Sequence, residues 1–100
     1  MDVTYRIDKD ILYIAIEGRI DASNAAEAEE KIFSIKNDNI GKHIVLDADK
    51  LEYISSAGLR VLLGAQKTMN KQGEMVVKNV NDTIDEIFEI TGFADVLTIE

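Results

Sequence analysis

Two adjacent hydroxyls, Ser55 and Ser56, stand with Gly58 where the apolar run Leu51-Glu52-Tyr53-Ile54 gives way to a stretch of helical periodicity. A serine at such a junction caps the helix by accepting from its free backbone N–H groups, and those groups, with the positive end of the helix dipole, also favour an anion. A phosphate carried by either serine would sit there without disturbing the helix, and Gly58 would leave the surface around it unobstructed. The same residues also read as a plain N-cap and a packing glycine. Spacing alone leaves both readings open.

Other chemistries fit less well. A nucleophile elbow, G-x-S-x-G, needs glycine at position 54, where the chain has Ile54, and a histidine after the serine, whereas the one histidine, His43, comes before it. Gly41-Lys42-His43 lacks the second glycine and the Ser or Thr of a phosphate-binding loop. With no cysteine there are no disulfides, thiol nucleophiles or thiolate metal sites, and a single histidine leaves little for an imidazole site. No cofactor or metal is expected. His43, at a strand start, reads as structural, and Glu27, Glu29 and Glu30 read as a solvated helix face.

One hundred residues with 46% hydrophobic content suit one domain spanning 1–100. The net charge of -8 argues against nucleic acid and anionic membranes, both of which select clustered Lys and Arg. No apolar run approaches the roughly 18 residues of a spanning helix, and Met1-Asp2-Val3-Thr4-Tyr5-Arg6 has no signal-peptide core, so a cytoplasmic chain is expected.

The elements that must position the serines follow from periodicity. Val3, Tyr5 and Ile7 alternate with polar residues, Asp8-Lys9-Asp10 can turn, and Ile11 to Ile16 reads as a buried, central strand. After Gly18-Arg19-Ile20, Asp21 or Ser23 can cap a helix carrying Ala25, Ala28, Ile32 and Ile35 on one face. His43 to Asp47 is a strand, and the helix after the serines places Leu59, Leu62, Leu63, Gln66 and Met69 together until Gly73. Met75 to Val77 is a strand, Thr83 with Glu86 forms a capping box for a helix ending at Gly92, and Val96 to Ile99 is a last strand. The order predicts an α/β fold. Its sheet is mixed but mostly parallel, with about five strands, an N-terminal antiparallel hairpin and right-handed crossover helices, and binding features gather at the carboxyl ends of the strands.

Gly18-Arg19-Ile20-Asp21, Ile44-Val45-Leu46-Asp47, Ser55-Ser56-Ala57-Gly58-Leu59, Gly73-Glu74-Met75 and Ile87-Phe88-Glu89-Ile90-Thr91-Gly92-Phe93, in this order and spacing, resemble the STAS domain of the anti-sigma factor antagonist type from end to end. The resemblance implies a protein, itself no enzyme, that in its unmodified form binds an anti-sigma factor serine kinase and so frees a sigma factor. ATP-dependent phosphorylation switches that binding off, and a PP2C-type phosphatase restores it. Carried over by position, the acceptor is Ser56. Ser55, where many members have Asp, is the alternative acceptor, and Ala57 stands where some have a second Ser. Asp21, Ser23, Asn24 and the run Ser55, Ser56, Ala57, Gly58, Leu59 and Arg60 would form the partner-binding surface, although Asp21 also serves as an ordinary cap and Leu59 as a core residue. Members of this type are usually monomers when free. The alternative within the family is a stressosome-like or transporter-associated scaffold or sensor module that binds proteins or small anions.

Overall fold

A computed structural model describes residues 1–100. The chain runs β1 (Asp2–Asp8), β2 (Ile11–Ile20), α1 (Ala25–Asp38), β3 (His43–Asp47), β4 (Leu51–Ile54), α2 (Ser56–Met69), β5 (Met75–Lys78) and α3 (Asp82–Thr91), then a single 3₁₀ turn, Phe93–Asp95. Alternation along β2 decides the architecture: Leu12, Ile14, Ile16 and Ile20 are all but sealed from solvent, while Ile11, Tyr13 and Ala15 on the opposite face are half-buried. The sealed face takes all three helices. Ala28 and Ile32 of α1, Leu59, Leu62, Ala65 and Met69 of α2, and Ile84 and Phe88 of α3 join Ile44, Leu46, Met75 and Val77 of the sheet in one core. Burying side chains of this size contributes about 1.5 to 3 kcal/mol each, which fixes the strand register, because a one-residue slip would turn β2's apolar set to water.

The strand order is β1-β2-β3-β5, with β1 antiparallel to β2 and the remaining pairings parallel. A two-residue turn joins β1 to β2, with Lys9 at φ 57°. Strand β4 runs parallel to the last residues of β2, pairing Arg19 with Tyr53 and Ile20 with Ile54 beyond the stretch that β3 occupies. The register shifts between Gly18 and Arg19, and Gly18 accommodates the irregularity at φ 91°.

Two expectations need correction. Val96 to Ile99 is no strand: it is held to β5 by one bridge, Ile99 to Val77, with Val77 N–H donating to the Thr98 carbonyl and Glu100 N–H to that of Val77. The ladder stops because the Thr98 N–H donates instead to Gln66 Oε1 at 3.1 Å, so the count of five strands is completed by Leu51–Ile54. The Thr83–Glu86 capping box does not form either. Asn81 caps α3, its Oδ1 accepting from Ile84 N–H at 2.8 Å while its Nδ2 donates to the Leu51 carbonyl at 2.9 Å. A short amide reaches both the helix and β4, which a threonine inside the helix does not.

Candidate functional site

Parallel pairing of β2 with β4 brings the carboxyl ends of both strands to the same point, and Ser55 N–H donates to the Ile20 carbonyl at 2.8 Å. The turn leaving β2 and the start of α2 are therefore neighbours. Each is stiffened locally. Asp21 accepts from both the N–H and the hydroxyl of Ser23, Asn24 Oδ1 accepts from Asp21 N–H at 2.9 Å, and Asn24 Nδ2 donates to the Arg19 carbonyl at 2.9 Å. Neither Asp21 nor Ser23 caps α1 by its side chain, contrary to expectation. The cap position is Asn24, whose side chain points back to the turn, and the helix start is held by Ala25 N–H on the Asp21 carbonyl at 2.9 Å.

These contacts also set the charge. The Ser23 hydroxyl, then its N–H, hold the Asp21 carboxyl below the ordinary value of 3.8, and nearby Arg19 adds to the effect while partial desolvation opposes it. Asp21 thus presents a fixed negative charge at neutral pH.

On the other side, Ser55 is the N-cap of α2, in extended backbone geometry, and its Oγ accepts a long bond, 3.4 Å, from Gly58 N–H. Ser56, the first helical residue, is exposed, and the first turn carries no acidic side chain to compete for its N–H groups. Ala57 is half-buried and Arg60 is exposed. Gly58 and Leu59 are turned inward. A Cβ on Gly58 would lie 2.7 Å from Ile54 Cγ1 and 2.8 Å from Ile20 Cγ2, so this glycine lets α2 close onto the paired ends of β2 and β4. Gly58 and Leu59 therefore shape the surface from beneath. Of the sequence-derived candidates, Asp21, Ser23, Asn24, Ser55, Ser56, Ala57 and Arg60 are wholly or partly at the surface, on two segments joined through Ile20 and Ser55.

Periodicity did not single out Arg19 and Tyr53. They are register partners beside the turn, with the guanidinium 4.5 Å from the ring centre, and Asn24 holds the Arg19 carbonyl. Their signal was positional, one residue before each strand end. None of the four surface hollows is lined by Asp21–Asn24 or Ser55–Arg60. A non-concave patch of turn and helix start suits another protein's surface better than a small molecule, which needs a cleft to bury it.

Comparison with known proteins gives one family. The model described as STAS domain matches residues 2–100. BtrV of Bordetella bronchiseptica is 34% identical over 90 residues, covering 89% of this chain and 77% of BtrV. The anti-sigma-B factor antagonist of Listeria monocytogenes is 32% identical over 96 residues, 93% of this chain and 82% of that protein. The structure of the anti-sigma factor antagonist SpoIIAA in its unphosphorylated form superposes with a TM-score of 0.77 at 16% identity, covering 99% of this chain and 88% of that one. SpoIIAA of Bacillus in the phosphorylated form superposes at 0.70 and 17%, covering 99% and 91%.

Proposed function

The chain belongs to the STAS domain family, of the anti-sigma factor antagonist type, and from this we propose that its unphosphorylated form binds an anti-sigma factor serine kinase through Asp21–Asn24 and Ser55–Arg60, releasing the sigma factor. Phosphorylation of Ser56 ends the binding. The γ-phosphoryl group of the kinase's ATP passes to Ser56 Oγ, the hydroxyl proton is lost and ADP departs; a PP2C-type phosphatase hydrolyses the ester and returns the antagonist. The observation that carries this reading is the exposure of Ser56 on the first turn of α2, adjoining a turn with a fixed carboxylate. Ser55 is the poorer acceptor, since it is half-buried and serves as the helix cap.

Phosphate adds about -1.5 to -2 charges at neutral pH. A helix N-terminus tolerates it, being stabilised by an anion by about 0.3 to 1 kcal/mol. In a packed interface the same group must be desolvated, and juxtaposition with a like charge of the partner costs several kcal/mol. The switch is thus one of interface, not fold. The relatives' names and the existence of both SpoIIAA forms support the reading. Incubation with the candidate kinase and ATP, followed by intact-mass analysis and peptide mapping, tests it: one phosphate on Ser56 is expected. Stable kinase binding that ATP does not reverse would point to a scaffold module instead.

A further inference from the structure

Arg19 and Tyr53 stand beside the proposed contact and outside both of its segments, Asp21–Asn24 and Ser55–Arg60. They are register partners on β2 and β4, with the guanidinium over the ring at 4.5 Å from its centre. Arg19 is exposed and Tyr53 half-buried. The guanidinium pairs with no carboxylate of this chain and donates no hydrogen bond within it. Asp21 is near enough for Arg19 to help lower its pKa, yet the two do not meet as an ion pair. Asn24 Nδ2 donates to the Arg19 carbonyl at 2.9 Å, so the backbone beneath the guanidinium is tied to the turn that carries Asp21. The geometry points to Arg19 as a further anchor of the partner contact, held over Tyr53 to take a carboxylate of the anti-sigma factor kinase. This inference rests on the proposed kinase contact and adds the chemistry of the kinase's side of it.

An exposed arginine ordinarily loses much rotamer freedom when a partner fixes it, and the attraction between cation and ring restricts that freedom beforehand. Its donors stay available. A guanidinium offers five N–H groups in a planar fork that matches a carboxylate with two parallel bonds, which an ammonium cannot do. Arginine and tyrosine are also the residue types enriched where interfaces concentrate their binding energy. The order of charges is selective as well. Ile20 is buried between them, so Arg19 and Asp21 present a cation and an anion side by side. A partner in register sets an acid against the first and a base against the second, and a slipped partner meets like charge. The same stack recurs away from the contact, where Arg6 of β1 lies 3.9 Å from the centre of the Tyr13 ring near the start of β2. That pair supplies a matched control.

Calorimetric titration of the full unphosphorylated chain against the anti-sigma factor kinase, with melting curves beside it, tests this. Arg19→Ala should weaken binding by about tenfold or more and Arg19→Lys by about threefold or more, while Arg6→Ala stays within about twofold of the parent and all three remain folded. Tyr53→Leu should weaken binding by about threefold, and adding it to Arg19→Ala should cost less than about twofold more, because the ring acts through the guanidinium. Carbodiimide treatment of the Arg19→Lys complex should join the new amine to an Asp or Glu of the kinase, located by peptide mapping. Parent-like affinity for Arg19→Ala, an equal loss in Arg6→Ala, or no cross-link from position 19 to the kinase would overturn the inference. The switch is read separately, with phosphorylated protein in the same titration. If phosphorylation ends binding and Arg19→Ala does not weaken it, only the Arg19 contact falls. If Arg19→Ala weakens binding and phosphorylation does not, only the switch falls. No binding by the unmodified parent overturns both.

Discussion

The N–H of Ser55 donates to the carbonyl of Ile20 at 2.8 Å, and this one bond sets the start of α2 against the turn that leaves β2. Thirty-five positions separate the two residues in the chain, yet through them a serine and a carboxylate turn become one surface.

Ser56→Asp should weaken binding to the anti-sigma factor kinase by about thirty- to a thousand-fold, the equivalent of ~2 to 4 kcal/mol of interfacial like-charge repulsion. Thermal unfolding of the same variant should shift by less than about 4 °C, as for a surface substitution of under ~0.5 kcal/mol. Calorimetric titration beside a melting curve checks both. A large drop in melting temperature would mean that the fold, not the interface, responds.

Gly58→Ala should destabilise the protein by about 1 to 2 kcal/mol, although alanine is the better helix former by ~1 kcal/mol. The added Cβ would be driven to 2.7 Å from Ile54 and 2.8 Å from Ile20. In urea unfolding, pairing it with Ile54→Ala should cost less than the sum of the two single changes, since the smaller residue makes room.

Asn81→Ala removes two bonds at once, the cap to Ile84 and the tie to Leu51. The expected loss is about 1.5 to 3 kcal/mol, read by denaturant melts. Asn81→Asp keeps an acceptor for the cap but no donor for Leu51, so its loss should be smaller.

Asp21 has a folded-state pKa below its ordinary 3.8. A depressed acid contributes stability that is fully present above its unfolded pKa and is lost as pH falls through the folded one, so its share vanishes only below about pH 3.8. It does not change in the neutral range. Carboxyl chemical shifts followed by NMR should show this midpoint, and Ser23→Ala should raise it, because the Ser23 hydroxyl is its largest cause.

Much of this was legible in the chain. Alternation of Val3, Tyr5 and Ile7 with polar residues, the apolar run Ile11 to Ile16 and three- to four-residue spacing in the helices report burial directly, so the layers and the hairpin follow from side-chain polarity. The closing segment was not legible, because Val96-Leu97-Thr98-Ile99 has strand-forming residues, and its fate depends on Gln66, thirty-two positions away, taking the Thr98 N–H. Caps were ambiguous for a related reason: Asp21, Ser23 and Asn24 can each serve a helix, and their hydrogen bonds to Arg19 and to one another decide which does. Residue types placed Ser56 at a helix start. That Gly58 faces inward, and that Arg19 lies over Tyr53, needed the pairing of β2 with β4.

One phosphate on Ser56 is expected to abolish a protein contact and leave the scaffold intact. The direct measurement is a calorimetric titration of the kinase-modified and unmodified protein against the anti-sigma factor kinase, with mass mapping of the modified residue. The expected result is tight binding by the unmodified form, at least thirty-fold weaker binding by the form phosphorylated on Ser56, and recovery after phosphatase treatment. Equal affinities for the two forms, or a phosphate on another residue with the same loss of binding, would contradict it.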